Sequence, residues 1–217
     1  MTEVVPTILT DKPETYRSQL ENFAKFAKRI QIDFLDGNFT SQATVPLSAM
    51  APLPEGVNID LHMMVVRPSQ YLPEVLKLKP ALCILHAECG EDLLPIFHQL
   101  KKAGIRAGLA LMAPTYPGDV KAYVNAADHV LIFAGELGKQ GGTADLLQIE
   151  KSKILQAIKP QGLEIGWDGG ANLENIRMIA HANIGVINVG SAIAGAKDPA
   201  TAYKALFDEA DRKGVRI

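Results

Sequence analysis

The chain has 217 residues, 47% hydrophobic and 21% charged, which suffices for one α/β barrel or two small domains. A net charge of -2, a pI near 6.2 and no basic cluster argue against nucleic acid or a membrane surface as partner, so an anionic ligand must be held locally. Two cysteines, Cys83 and Cys89, are too few and too close for a disulfide framework and read as reduced thiols, Cys83 filling core.

No Ser/Gly/Pro-rich linker divides the chain, so residues 1–217 are expected to form a single domain. Met1-Thr2-Glu3 opens neither a basic nor an apolar leader, and no apolar run approaches the ~18 residues of a membrane span. A cytoplasmic protein is expected.

In chain order, short apolar runs alternate with amphipathic segments. The runs cover 4–9, 30–34, 57–62, 81–86, 105–111, 129–133, 162–167 and 184–189. Helix-like segments lie near 14–27, 69–78, 91–103, 118–126, 150–159, 172–181 and 199–213, while 40–54 reads as a loop with at most a short helix. Asp11-Lys12-Pro13-Glu14 and Asp198-Pro199 are helix-start signals. Eight strand–helix units imply parallel strands with right-handed crossovers, closing into a single (β/α)₈ TIM barrel.

In such a barrel chemistry sits at the carboxyl ends of the strands. The polar residues there are Thr7, then Gln31 and Asp33 on one face of the second strand, Asp60 and His62 in the third, and His86 with Glu88 after the fourth. Asp168 ends the seventh strand, beside a Trp167 that alternation turns away from the axis. Asp33 and Asp168 come from strands separated only by the first and eighth, so two carboxylates can act as base and acid on opposite faces of one carbon. His62 beside them reads as a ligand for a divalent ion. Asp36 reads as a turn residue before Gly37, and His86 and Glu88 as supporting partners or structural groups. Met63, Met64 and Met112 read as apolar cover, and His98, His129 and His181 belong to no visible constellation.

Glycines cluster after strands six, seven and eight: Gly138-Lys139-Gln140-Gly141-Gly142, Gly169-Gly170 and Gly190-Ser191. Gly190-Ser191-Ala192-Ile193 looks like the first turn of a short extra helix, and loops at these strand ends form a recurrent phosphate site. The first cluster lacks the spacing of a nucleotide-binding P-loop.

These positions resemble the ribulose-phosphate 3-epimerase family over nearly the whole chain. Pro6-Thr7-Ile8-Leu9 is similar to its Pro-Ser-Ile-Leu opening, and Ile32-Asp33-Phe34-Leu35-Asp36-Gly37-Asn38-Phe39 to its Asp-x-Met-Asp-Gly-x-Phe motif. Asp60-Leu61-His62-Met63-Met64-Val65, His86-Ala87-Glu88, Asp168-Gly169-Gly170 and Gly190-Ser191-Ala192-Ile193 continue the likeness. The resemblance implies an isomerase of the pentose phosphate pathway that moves a proton at C3 of a phosphorylated ketose, with Asp33 and Asp168 as catalytic pair. It implies a divalent metal (Zn, Mn, Fe or Mg) on Asp33, His62 and Asp168, and a homo-oligomer. Gly141, Gly142, Gly169, Gly170, Gly190 and Ser191 would take the phosphate, with Thr7, Gln31 and Met64 completing the substrate site.

The departures from that pattern are specific. Gln31 stands where the family has a metal-binding His, Thr7 replaces a Ser, and Met112-Ala113-Pro114 replaces an Asn-Pro. The loop from Gly135 to Gly142 lacks the family's Pro and Phe. Gln31 leaves three readings open: a weaker or harder ion with Gln31 as a poor ligand, a metal-free site in which its amide bonds the substrate, or a barrel that binds phosphosugar without turnover. Decarboxylation or aldol chemistry is disfavoured, because Leu35 stands where the Asp-x-Lys-x-x-Asp pattern needs Lys and no strand end offers a Schiff-base lysine.

Overall fold

The structure is a computed structural model and describes residues 2–212. Eight parallel strands close in chain order: β1 (Glu3–Ile8), β2 (Arg29–Leu35), β3 (Asn58–Met64), β4 (Leu82–His86), β5 (Arg106–Leu111), β6 (His129–Phe133), β7 (Glu164–Asp168) and β8 (Val186–Val189). Helices α1 (Pro13–Phe23), α2 (Leu47–Met50), α3 (Leu72–Leu78), α4 (Leu94–Lys102), α5 (Lys121–Ala126), α6 (Ile149–Ile158), α7 (Ile176–His181), α8 (Ser191–Ala194) and α9 (Pro199–Ala210) follow the strands. The predicted β6 agrees at both ends, and the extra turn after β8 is α8.

Helix boundaries differ more. The segment expected over 14–27 ends as a helix at Phe23, and 69–78 divides into a 3₁₀ turn at Pro68–Gln70 and α3. The helices expected from 118 and 172 begin only at Lys121 and Ile176, because turns use the preceding residues. The last helix ends at Ala210; the remainder of the expected 199–213 reaches residue 213, which lies outside the described residues. α1, α3, α4 and α9 carry Pro in the first turn, where its missing N–H costs nothing, and the Asp198 side chain accepts from the Ala200 and Thr201 N–H groups.

Strand alternation divides the apolar residues into two cores. Side chains such as Ile32, Leu61, Cys83, Leu109, Ile132, Trp167 and Ile187 point outward under the helices and form the larger one. Leu82, Ile84, Ala110 and Leu131 form the small core inside the barrel. Below that core lies a charged layer that places two residues differently from expectation. Asp60 is not at the mouth: it takes a 2.7 Å bond from Arg29 Nε, and Arg29 also reaches Glu3 at 3.0 Å and Glu164 at 2.9 Å. His129 is not isolated: it opens β6 and meets Glu164 at 2.8 Å, its ring filling the space where a Cβ on Gly166 would stand. Both side chains point inward well before the carboxyl end of their strands, at Met64 and Phe133, which leaves them deep in the barrel.

Candidate active site

The register places Asp33 opposite His62, Phe133 opposite Asp168, and Asp168 opposite Asn188. Asp33 and Asp168 therefore converge from β2 and β7 on the mouth of one cavity. Its wall includes Thr7, Met64, Gly141, Gly142, Gly169, Gly170, Gly190 and Ser191. Gln31 and His62 are fully buried behind the two carboxylates.

The contacts around those carboxylates are close. His62 Nδ1 lies 3.1 Å from Asp33 Oδ1 and 3.5 Å from Asp168 Oδ2. The Gln31 amide donates to the same two oxygens at 2.9 and 2.5 Å, and its Oε1 is buried with no partner. Burial raises the Asp33 carboxyl to about 6 against the bonds it accepts. Burial alone would lower His62, yet the bonds to Asp168 and Asp33 and their charges raise it to about 9.

A second row of groups orients His62. Its Nε2 lies 2.9 Å from His86 Nε2, and His86 Nδ1 lies 3.3 Å from Glu88 Oε2. The Met112 N–H donates to Glu88 Oε1 at 2.9 Å. Burial would raise Glu88, but the bonds from His86, Thr115 and the Met112 N–H lower it, while burial takes His86 down to about 4. An ionised Glu88 takes the proton on His86 Nδ1, so His86 Nε2 accepts from His62 Nε2–H. His62 Nδ1 is left facing two carboxylates, an arrangement that needs a proton or a cation between them. Phe133 packs on both rings, with centroids 5.8 Å from His62 and 5.6 Å from His86.

The residues present fit a divalent ion. Ligand atoms of Asp33, His62 and Asp168 lie within 4.8 Å of one another, and turning the Gln31 amide over would bring its orphaned Oε1 to the same point.

The glycine clusters interlock. A Cβ on Gly169 would stand 2.1 Å from Gly135 N, and one on Gly170, at φ +64°, 2.1 Å from Ala144 N. A Cβ on Gly190 would stand 2.8 Å from Gln140 Nε2, and Gln140 donates to the Thr7 carbonyl at 3.3 Å. The loop after β6 is thus folded over the mouth, and glycine at 169 and 170 is required by packing against backbone, whereas at 190 the neighbour is the movable Gln140 side chain. Gly142 is different, since a Cβ there meets nothing within 4 Å.

Asp36 caps the turn after β2, accepting from the Asn38 N–H and the Tyr71 hydroxyl at 2.9 and 3.1 Å. Cavity residues without a side-chain role in the sequence include Phe133, Gln140 and Asn188. Gln140 sits within a glycine cluster that drew attention to its backbone alone. Asn188 breaks an apolar strand at an inward position, a signal available in principle from alternation.

Comparison with known proteins adds kinship to this geometry. A family model described as the ribulose-phosphate 3 epimerase family matches residues 3–194. The ribulose-phosphate 3-epimerase of Bacillus subtilis is 27% identical over 205 residues, covering 91% of this chain and 94% of that protein. The corresponding protein of Mycobacterium leprae is 26% identical over 183 residues, covering 82% and 81%. Among solved structures, 3-hexulose-6-phosphate synthase from Salmonella typhimurium superposes with a TM-score of 0.71 at 16% identity, covering 96% of this chain and 98% of that one, a likeness of fold alone.

Proposed function

The chain belongs to the ribulose-phosphate 3 epimerase family, and from that premise we propose that it inverts C3 of a phosphorylated ketose, with Asp33 and Asp168 as the acid–base pair. The observation that carries this reading is the convergence of two carboxylates from β2 and β7 on one cavity, joined behind by His62 and Gln31. One carboxylate removes the C3 proton and the other, its proton in place, returns one to the opposite face. Burial suits Asp33 to either role, since it holds a proton more readily than an exposed carboxyl. Asp33, His62 and Asp168 would hold a divalent ion, with Gln31 as a weak fourth ligand. When bound, such an ion supplies positive charge beside the oxygens that become the enediolate. Gly141, Gly142, Gly169, Gly170, Gly190 and Ser191 would receive the phosphate through their backbone, and Thr7 and Met64 would wall the sugar. Chain 1–217 would act as one domain in a homo-oligomer.

The competing reading is a barrel that binds phosphosugar without turnover. It is favoured by Gln31, whose N–H groups already tie Asp33 to Asp168. Proton NMR of ribulose 5-phosphate in D₂O, with and without added divalent metal, separates the two. Epimerisation puts deuterium at C3, and Asp168→Asn should slow that exchange by roughly 10² to 10⁴-fold. Bound sugar with no exchange under any metal would establish the binding barrel instead.

A further inference from the structure

Asn188 lies in the middle of β8 and is 2% exposed. Its outward neighbours Ile187 and Val189 belong to the outer core, so its own side chain points into the barrel. There it lines the same cavity as Asp33 and Asp168, in register with Asp168 on one side and Val5 on the other. Neither Oδ1 nor Nδ2 has a hydrogen-bond partner. A buried amide with both ends unsatisfied is unfavourable, and an apolar residue would serve β8 better.

Two more unpartnered atoms lie on the next two strands, β1 and β2. Thr7 Oγ1 and Gln31 Oε1 are also buried without partners, and Thr7 pairs with Gln31 across β1 and β2. β8 and β1 fill the short arc of the barrel between β7, which carries Asp168, and β2, which carries Asp33. Asn188 on β8 and Thr7 on β1 therefore put buried, unpartnered polar atoms on the cavity wall between the two carboxylates. A carbon whose proton is exchanged between two carboxylates bears oxygens on itself and its neighbours. An amide matches such a pair, its N–H donating to a carbonyl oxygen and its C=O accepting from a hydroxyl.

We propose that Asn188 is a substrate-orienting residue, its amide binding the hydroxyl and carbonyl oxygens at the reacting end of the sugar. This rests on the epimerase reading above, and it separates recognition of the sugar from recognition of the phosphate. The test is calorimetric titration of wild type and Asn188→Val with ribulose 5-phosphate and, separately, with inorganic phosphate, beside a thermal melt.

Asn188→Val should bind ribulose 5-phosphate roughly 10- to 100-fold more weakly, phosphate equally well, and melt no lower than wild type. Asn188→Ser, which keeps one donor and acceptor, should fall between. Unchanged affinity for both ligands would overturn the proposal and make Asn188 a hydrated structural residue. An equal loss for both, or a lower melting temperature, would overturn it by making Asn188 a support for the whole site. Wild type that exchanges C3 deuterium while Asn188→Val binds normally sinks this proposal alone. Wild type that neither binds nor exchanges the sugar sinks the epimerase reading and this one together.

Discussion

Gln31 and His86 are the residues that would tune a cation held by Asp33, His62 and Asp168. Gln31 brings a neutral amide to two carboxylates, where an imidazole would bring a stronger ligand. Gln31→His should therefore tighten zinc by roughly 10-fold or more, read by competition with a chromogenic chelator; unchanged affinity would mean that position 31 never meets the ion. His86 acts through His62, holding its Nε2–H so that Nδ1 faces the carboxylates. His86→Leu frees that ring, and metal affinity should drop about 10- to 100-fold, while the melting temperature falls because the buried His62 Nε2–H and Glu88 lose a partner. Asp33, His62 and Asp168 are legible from sequence because motif and strand-end position agree. Gln31's orphaned oxygen and Asn188 are not, since whether a buried atom has a partner depends on strands distant in the chain.

The glycine loops sort at the level of elements. Gly170 sits at φ +64° with backbone 2.1 Å from any Cβ, so Gly170→Ala should cost upwards of about 2 kcal/mol in denaturant unfolding. Gly142→Ala should leave stability unchanged, because nothing stands within 4 Å, and any loss should fall on phosphate affinity alone. Destabilisation by Gly142→Ala would mean that its backbone is constrained by packing and not kept open for a ligand. The sequence marks all these glycines alike. Only the folding of the loop after β6 onto β7 and β8 divides those that pack from those that stand free. Helix starts suffered similarly: Lys121 and Ile176 begin later than periodicity suggests, because a turn and a first helical turn place apolar residues alike.

At the scale of the whole molecule, the charged layer of Arg29, Asp60, Arg106, His129 and Glu164 closes the end of the barrel opposite the site. Burial would raise Glu164, yet bonds from His129 and Arg29 hold its carboxyl well below the ordinary 4.5. A lowered carboxylate stabilises the fold fully above its unfolded value and progressively less as pH falls through its folded one. Asp60 has the opposite sign, because burial raises it to about 7, so its share of stability grows as pH falls from there toward the ordinary 3.8. From these two groups the melting temperature should thus rise as pH falls from 7 toward 4.5 and fall below that as Glu164 is protonated. Glu164→Gln should melt lower at pH 7 and lose the acid limb; a mutant curve parallel to wild type would show that the layer does not govern acid stability. Among the described residues no helix is long and apolar enough to cross a membrane.

By itself the sequence determined the closed eight-stranded barrel, the family, and the carboxylates, histidine and glycines gathered at one end. These follow from local periodicity and from residues whose chemistry is tied to strand ends. The tertiary structure alone decided that Asp60 and His129 belong to a charged floor, that Gln31 joins the two carboxylates, and that Asn188 faces them unpartnered. Each of those depends on which side chains meet across a closed barrel, and that is set by strand register between segments more than a hundred residues apart in the chain as well as by neighbours.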